Sequence, residues 1–345
     1  MESSGQASSA AAVPAHARLI QMGIGYWVSR IVYAAAKLGL ADQLAGGPKS
    51  AAELAGPTQT HAPSLHRLMR ALAGLGVLSE DDQHRFRLTT LGEALKTGAP
   101  GSARSTILAL AGEWWWRGWE QFDHSLATGT TGMQKAFGMS VFGYLASHPQ
   151  EASYFNEAMI GFHGDEPPAV AAAVDFSTFG TVVDVGGGTG NLLAAILDRH
   201  PGVRGVLCEL PHVVDAARAQ CDARGVGERV TVEPIDFFKS VPPGGDAYVL
   251  SHVLHDWTEA QCLTILGNCR SAMGANGPLL IVETVIPAGN TPHPGKLLDI
   301  AMLVMPGGQE RTEEEFGALL GKAGFRLTRV VPTPSAVSVV EAIRG

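Results

Sequence analysis

Nothing in the 345 residues is apolar for long enough to cross a membrane, since no uncharged apolar run reaches the ~18 residues that a span requires. The opening stretch MESSGQASSAAAVPA has neither a basic start nor an apolar core, so it reads as a Ser/Ala-rich tail and not as an export signal. Cysteine is scarce. Cys208, Cys221, Cys262 and Cys269 include no C-x-x-C pair, which excludes a disulfide scaffold, offers no metal cluster and suits reduced thiols in a cytoplasmic protein. Positive charge is also short: 25 Lys and Arg against 33 Asp and Glu leave a net charge of −8. A nucleic-acid binder needs a phosphate-neutralising surface, so small molecules and other protein chains are the expected partners, with no nucleic acid and no membrane. No internal repeat is visible, and the 42 glycines and 20 prolines follow no G-X-Y period, so they mark turns and not a collagen helix. What is present is an ordinary globular balance, 46% hydrophobic and 17% charged. At ~150 residues per domain it suggests about two domains.

The character of the chain changes near residue 170. Before it the periodicity is helical. Ile20, Ile24, Trp27, Val28, Ile31 and Ala35 recur at the spacing of one long amphipathic helix. Ser50 and Glu53 form a capping box at the start of a short helix, and Leu65, Leu68, Met69, Leu72 and Leu75 share one side of a helix from about 62 to 75. Two short strand candidates, Val77-Leu78 and Phe86–Leu88, flank the turn SEDDQHR, which completes a winged-helix pattern. DNA binding is one reading of that pattern and dimerisation the other. The helix offers only Arg67, Arg70 and two histidines, and the turn of the wing carries Glu80, Asp81 and Asp82, so charge favours dimerisation. The long helix also carries more apolar surface than a ~100-residue unit buries alone, which predicts an obligate homodimer.

Residues 111–170 read as a helical connector with segments WWWRGWEQF, AFGMSVFGYL and SYFNEAMIGFHGDE. Most of these rings belong to core or interface packing. One or two of Trp119, Phe122, Phe142, Met159 and Phe162 would suit a lid over a flat ligand. From about 178 strands and helices alternate: strands at 181–186, 205–210, 230–236, 247–253 and 279–285, helices at 191–200 and 213–225, and a terminal hairpin. That order predicts an α/β, Rossmann-like, mostly parallel sheet.

The loop between the first of these strands and its helix is Asp184-Val-Gly-Gly-Gly-Thr-Gly190. Its glycines permit a tight turn and close backbone approach, and the following helix end offers N–H groups to an anion. A dinucleotide fingerprint needs a third glycine where Asn191 stands; the spacing here is G-x-G-x-G at Gly186, Gly188 and Gly190. Glu209 ends the second strand, where an acid can bind ribose hydroxyls, and Asp236 is followed by Phe237 and Phe238, an acid beside a ring as an adenine needs. The pattern resembles motif I of S-adenosylmethionine (SAM) methyltransferases, whose anionic end is a carboxylate and not a pyrophosphate.

Three further segments, SHVLHDW (251–257), VETVIP (282–287) and PGGQERTEEEFGALLGKAGF (306–325), resemble the SAM-dependent, cation-independent O-methyltransferases across nearly the whole chain. This family includes plant caffeate- and flavonoid-type enzymes and bacterial polyketide and phenazine tailoring enzymes. The resemblance implies a winged-helix-like dimerisation domain at 16–110 behind a disordered tail at 1–15, a connector at 111–170 contributing to the acceptor pocket, and a SAM-binding catalytic domain at 171–345. It implies His255 as general base, with Glu283 and Glu310 flanking and orienting it. It also implies cofactor contacts at Asp184, Gly186, Gly188, Gly190, Glu209, Asp236, Phe237, Ser251 and Trp257. Met159 and Met302 would sandwich the acceptor ring, with Trp119, Phe122 and Phe162 beside them; no metal is implied. Two positions depart from the plant pattern: Ser251 stands where a lysine is usual, and His163 where a serine is usual. The chemistry agrees with the resemblance. A phenol of pKa ~10 is protonated at neutral pH, and a neutral imidazole can take that proton as methyl transfer begins. Two other readings remain at this point: a relative repurposed for non-methylating chemistry, and a SAM-sensing winged-helix regulator.

Overall fold

The computed structural model describes residues 13–162 and 164–345. The first twelve residues of the expected tail, the side chain of Phe162 and all of His163 lie outside the described residues. The chain divides into two units, 13–113 with 150–161, and 114–149 with 162–345. The segment expected as a separate connector is thus shared between the two units. The stretch 150–161 belongs to the first because its helix is tied there, Ser105 donating to Glu157.

In the first unit, helices Ala15–Gly23 and Tyr26–Lys37 replace the single long helix that the apolar spacing predicts. The break falls at Gly23-Ile24-Gly25, where two glycines remove the conformational preference that would carry a helix through. Leu19, Ile20, Met22, Tyr26, Trp27 and Val28 remain exposed around it. The capping box at Ser50 is formed, Glu53 accepting from the Ser50 N–H at 2.7 Å and donating its own N–H to Ser50 Oγ. Helix Ala62–Gly74 buries Leu65, Met69 and Leu72 against Leu54 and Phe86. Strands β1 (Leu78–Glu80) and β2 (Phe86–Leu88) pair antiparallel as the small wing.

The second unit is built on a seven-stranded sheet. Its strands are β3 (Thr181–Val185), β4 (Arg204–Glu209), β5 (Val230–Pro234), β6 (Ala247–Ser251), β7 (Leu279–Glu283), β8 (Phe325–Pro332) and β9 (Ser338–Arg344). They lie in the order β5-β4-β3-β6-β7-β9-β8, parallel except for the terminal hairpin. The central strands are apolar along their length because helices cover both faces. Helix Asn191–Arg199 packs on one side, and helices Glu259–Ala272 and Glu313–Lys322 pack on the other. The chain runs outward from β3 to β5 and then returns to β6. This reversal opens a crevice beyond the carboxyl ends of β3 and β6, the place where open α/β sheets bind ligands. Among the described residues no helix is long and apolar enough to cross a membrane.

Candidate active site

The loop leaving β3 turns on three left-handed glycines, Gly186, Gly188 and Gly190, at φ 74°, 59° and 81°. At Gly186 a side chain is excluded twice over. Its φ is unfavourable for L residues, and a Cβ would come within 3.1 Å of Val253 and 3.2 Å of the Phe237 ring. At Gly188 no heavy atom lies within 4 Å of where a Cβ would stand, so the backbone there faces open space. Glu209, at the end of β4, braces the loop: its carboxylate accepts from the Gly188 N–H at 3.0 Å and from the Leu210 N–H at 2.7 Å. Asp184 is not presented to the crevice. It is 1% exposed, and the loop sits directly on it, since a Cβ on Gly187 would fall 2.3 Å from its Oδ2. Neither oxygen has a hydrogen-bond partner, and burial, then the charge of Glu209, pushes its carboxyl up to about 7.

Aromatic rings gather beside the loop. Trp257 meets Phe238 edge-on at 4.8 Å and Phe237 at 6.1 Å, and Phe142 stacks on it at 5.5 Å. Asp236 lies just beyond β5. Its carboxylate accepts from the Phe238 N–H and pairs with Lys239, which holds it below the usual carboxylate range. Ser251 closes β6, half-buried opposite Val282.

Three residues after β6 ends, the short 3-10 turn Leu254–Asp256 carries His255, which is buried. Its Nδ1 lies 2.9 Å from Glu310 Oε1. A carboxylate oxygen accepts from a protonated Nδ1, so in the neutral form of the ring it is Nε2 that carries the lone pair. Asp256 is 3.7 Å from Nε2, too far for a hydrogen bond. Glu283 does not reach the ring as the resemblance implies. It accepts the backbone N–H of His255 at 3.1 Å and so fixes the turn instead of the imidazole. Burial works against a charged His255, but Asp256, the Glu310 hydrogen bond and Glu283 outweigh it and push its pKa up to about 10. Burial raises Glu283 to about 7, aided by Glu310 and opposed by His255 and Arg311.

Four supporting residues escape a reading of the sequence. Asp299, on helix Gly295–Val304, accepts the backbone N–H of Glu310 at 2.9 Å and so sets the height of that acid. An acid within the apolar stretch KLLDIAMLV is the signal that marks it. Arg311 is buried beside the cluster and donates to the Leu254 carbonyl. His252, at φ 52°, and the buried Glu166 form a second imidazole–carboxylate pair at 2.7 Å.

The ring-binding candidates fall in both units. Trp119 and Phe122 lie 5.6 Å apart, tilted and half-buried. Met302 is buried on helix Gly295–Val304, and Met159 stands on helix Pro149–Phe162 within the first unit. Trp114, stacked on Tyr144, is core. Among the described residues no group of three or more His, Cys, Asp and Glu side chains is placed to hold a metal ion.

Residues 119–326 match the family model of the O-methyltransferase domain, and residues 20–98 match that of the O-methyltransferase dimerisation domain. The chain is 47% identical to the phenazine O-methyltransferase of Lysobacter antibioticus, covering 96% of this chain and 97% of that one. Among solved structures, a mitomycin 7-O-methyltransferase superposes with TM-score 0.91 at 37% identity, over 96% of this chain and 98% of that one. An O-methyltransferase from neocarzinostatin biosynthesis, solved with SAM and 2-hydroxy-5-methyl naphthoic acid, gives TM-score 0.82 at 34% identity, over 92% and 96% of the two chains.

Proposed function

The chain belongs to the O-methyltransferase family; on that premise we propose that it transfers the methyl group of SAM to a hydroxyl of an aromatic or polyketide-like molecule, and that its own residues carry the reaction as follows. His255 is the general base. The observation that carries this reading is the buried 2.9 Å contact between its Nδ1 and Glu310, which leaves Nε2 as the basic atom at the mouth of the sheet crevice.

SAM fits the residues beside it. Gly188 is open toward the crevice, the left-handed loop leads into the N-terminus of helix Asn191–Arg199, and the Phe237–Trp257 wall is aromatic. Gly186, Gly188, Gly190, Glu209, Asp236, Phe237, Ser251 and Trp257 would hold it, the helix N-terminus suiting its carboxylate. Asp184 would act from beneath, as the seat of the loop. When bound, SAM supplies an electrophilic methyl group on a sulfonium. With a positively charged cofactor held nearby, His255 favours the neutral ring and releases its extra proton to solvent, because a second positive charge in a buried site is disfavoured. The neutral Nε2 accepts the acceptor's hydroxyl proton, Glu310 steadies the imidazolium that forms, and Glu283 and Asp299 keep both groups in register. Methyl transfer from the sulfonium to an oxygen that is losing its proton annihilates charge and leaves a neutral thioether, so a water-poor pocket suits it.

Trp119, Phe122 and Met302, all in the second unit, are proposed to shape the acceptor site. Acceptors of the class named for the relatives, hydroxylated phenazines and naphthoates, are the first to test. We propose a dimerisation domain at 16–110, in keeping with a homodimer, and a SAM-binding domain at 171–345; the acidic wing argues against a nucleic-acid partner. Four free, buried cysteines suit a reducing compartment, and we place the enzyme in the cytoplasm. The test is turnover of a hydroxynaphthoate or hydroxyphenazine with SAM, followed as S-adenosylhomocysteine by mass spectrometry. Product formation by the parent and its collapse in His255→Ala is the expected result; a fully active variant would remove His255 from the chemistry.

A further inference from the structure

Arg311 is one of the largest side chains in the protein to be wholly buried, at 2% exposure. Its guanidinium does not bond a carboxylate. Nη1 donates to the carbonyls of Leu254, at 3.1 Å, and Gln309, at 3.2 Å, and Nη2 reaches the Cys262 thiol at 3.6 Å. Leu254 is the residue before His255. The backbone of Arg311 is itself fixed, its carbonyl accepting from the Ile286 N–H at 3.0 Å in a bridge beside Val285. One buried side chain therefore clamps three pieces together: the turn that carries His255, helix Glu259–Ala272, and the segment that carries Glu310.

The charges nearby give the clamp a second consequence. Glu283 and Glu310 are both buried, and each has one oxygen without a hydrogen-bond partner. Arginine cannot lose its proton in a protein, so its charge is fixed. With Glu283 and Glu310 both ionised, the one guanidinium leaves a single uncompensated negative charge in the buried cluster, to which Asp256 adds another beside Nε2; without Arg311 the excess grows by one. A larger negative field holds a proton more firmly on the imidazole.

We propose that Arg311 is a positioning residue for methyl transfer: it pins the turn that aims His255 and supplies a fixed positive charge that weakens the hold of the buried carboxylates on the imidazole proton. The proposal rests on the reading of His255 as the base. The other groups facing that ring are Asp256 at 3.7 Å from Nε2, and His252, 5.3 Å away between ring centres and itself backed by Glu166; Asp299 stands behind Glu310. None of these supplies a permanent positive charge.

The experiment is the pH profile of kcat in Arg311→Gln, Arg311→Lys and the double variant Arg311→Gln/Glu283→Gln, with SAM affinity measured by calorimetry on each. Arg311→Gln should lose turnover at neutral pH by about tenfold or more and move the acidic limb of the profile upward by about one pH unit, while SAM affinity stays within about twofold. Arg311→Lys, which keeps the charge but not the fork, should hold the acidic limb in place at reduced kcat. The double variant restores the charge count and should bring the limb back toward the parent's. If Arg311→Gln fails to fold and the double variant folds with a near-parental limb, the charge assignment is supported. An unshifted limb in folded Arg311→Gln overturns the proposal, as does a double variant that recovers neither fold nor limb. His255→Ala separates this outcome from failure of the base itself: an active His255→Ala removes the base, whereas an inactive one beside an unshifted Arg311→Gln removes only the role of Arg311.

Discussion

His252 and His255 stand with their rings 5.3 Å apart just beyond β6, and each leans on its own carboxylate through a different nitrogen. His252 meets Glu166 through Nε2 at 2.7 Å, whereas His255 meets Glu310 through Nδ1 at 2.9 Å. The difference sorts their roles. A base must keep one ring nitrogen within reach of substrate; the second nitrogen of His252, Nδ1, is buried from solvent, whereas Nε2 of His255 is not sealed in that way.

His255→Ala should therefore lose roughly 10²–10⁴-fold in turnover, the usual worth of general acid–base catalysis. SAM affinity should change little. The loss should shrink with more acidic phenols and at higher pH, because an ionised acceptor needs no base. Glu310→Gln should lose less than His255→Ala, since the amide oxygen can still accept from Nδ1 while the charge is gone. Rate measurements across a series of acceptors of graded pKa check this; a loss that is the same for every acceptor would point to orientation instead of proton removal.

Gly186→Val tests the cofactor site. The φ of 74° strains any β-branched residue, and its side chain would press on Val253 and Phe237. Calorimetry should show SAM binding weakened beyond detection at micromolar enzyme, with the circular-dichroism spectrum of the fold retained. Undiminished affinity would move the site elsewhere.

The sheet was legible in the sequence because each of its strands is a short apolar run between turn residues, and the capping box at Ser50 because both partners lie three residues apart. His255 and Glu310 were legible only through recurring motifs, not through spacing. Asp299, Arg311 and the His252–Glu166 pair were not, since their partners lie 11, 57 and 86 residues away; only Asp299 has a local mark, an acid in an apolar stretch, and that mark does not name its partner. Glu283 shows the same limit within a recognised motif: the residue is at the site, but only the fold decides that it holds a backbone N–H and not a ring. At Gly23 and Gly25 the apolar period outweighed two glycines, and the backbone followed the glycines.

The exposed stretch of Leu19, Ile20, Met22, Tyr26, Trp27 and Val28 should be covered by a second chain. Light scattering at micromolar concentration should give a dimer, and Trp27→Glu should move it toward monomer by placing a charge in that apolar face. A parent that is monomeric and fully active would contradict the assignment.

Asp184 should leave its mark on stability as a function of pH. Its folded pKa, about 7, lies above the ordinary 3.8, so the native state binds a proton that the unfolded chain releases. The contribution to stability is fully present below pH ~4 and is lost as pH rises through ~7. Glu283, also raised to about 7, acts in the same direction over the same window, while His255, raised to about 10, loses its contribution at higher pH. The parent should therefore weaken between pH 5 and pH 8. Asp184→Asn removes one of the two acids from that window without changing the volume beneath the loop. It should match the parent near pH 4 and exceed it by about 4 kcal/mol at pH 8, with a shallower slope between that does not vanish because Glu283 remains. Urea unfolding at each pH measures the difference directly. A constant offset between the two proteins at every pH would mean that the carboxyl under the glycine loop is ionised in the native state, and that the loop draws on its charge.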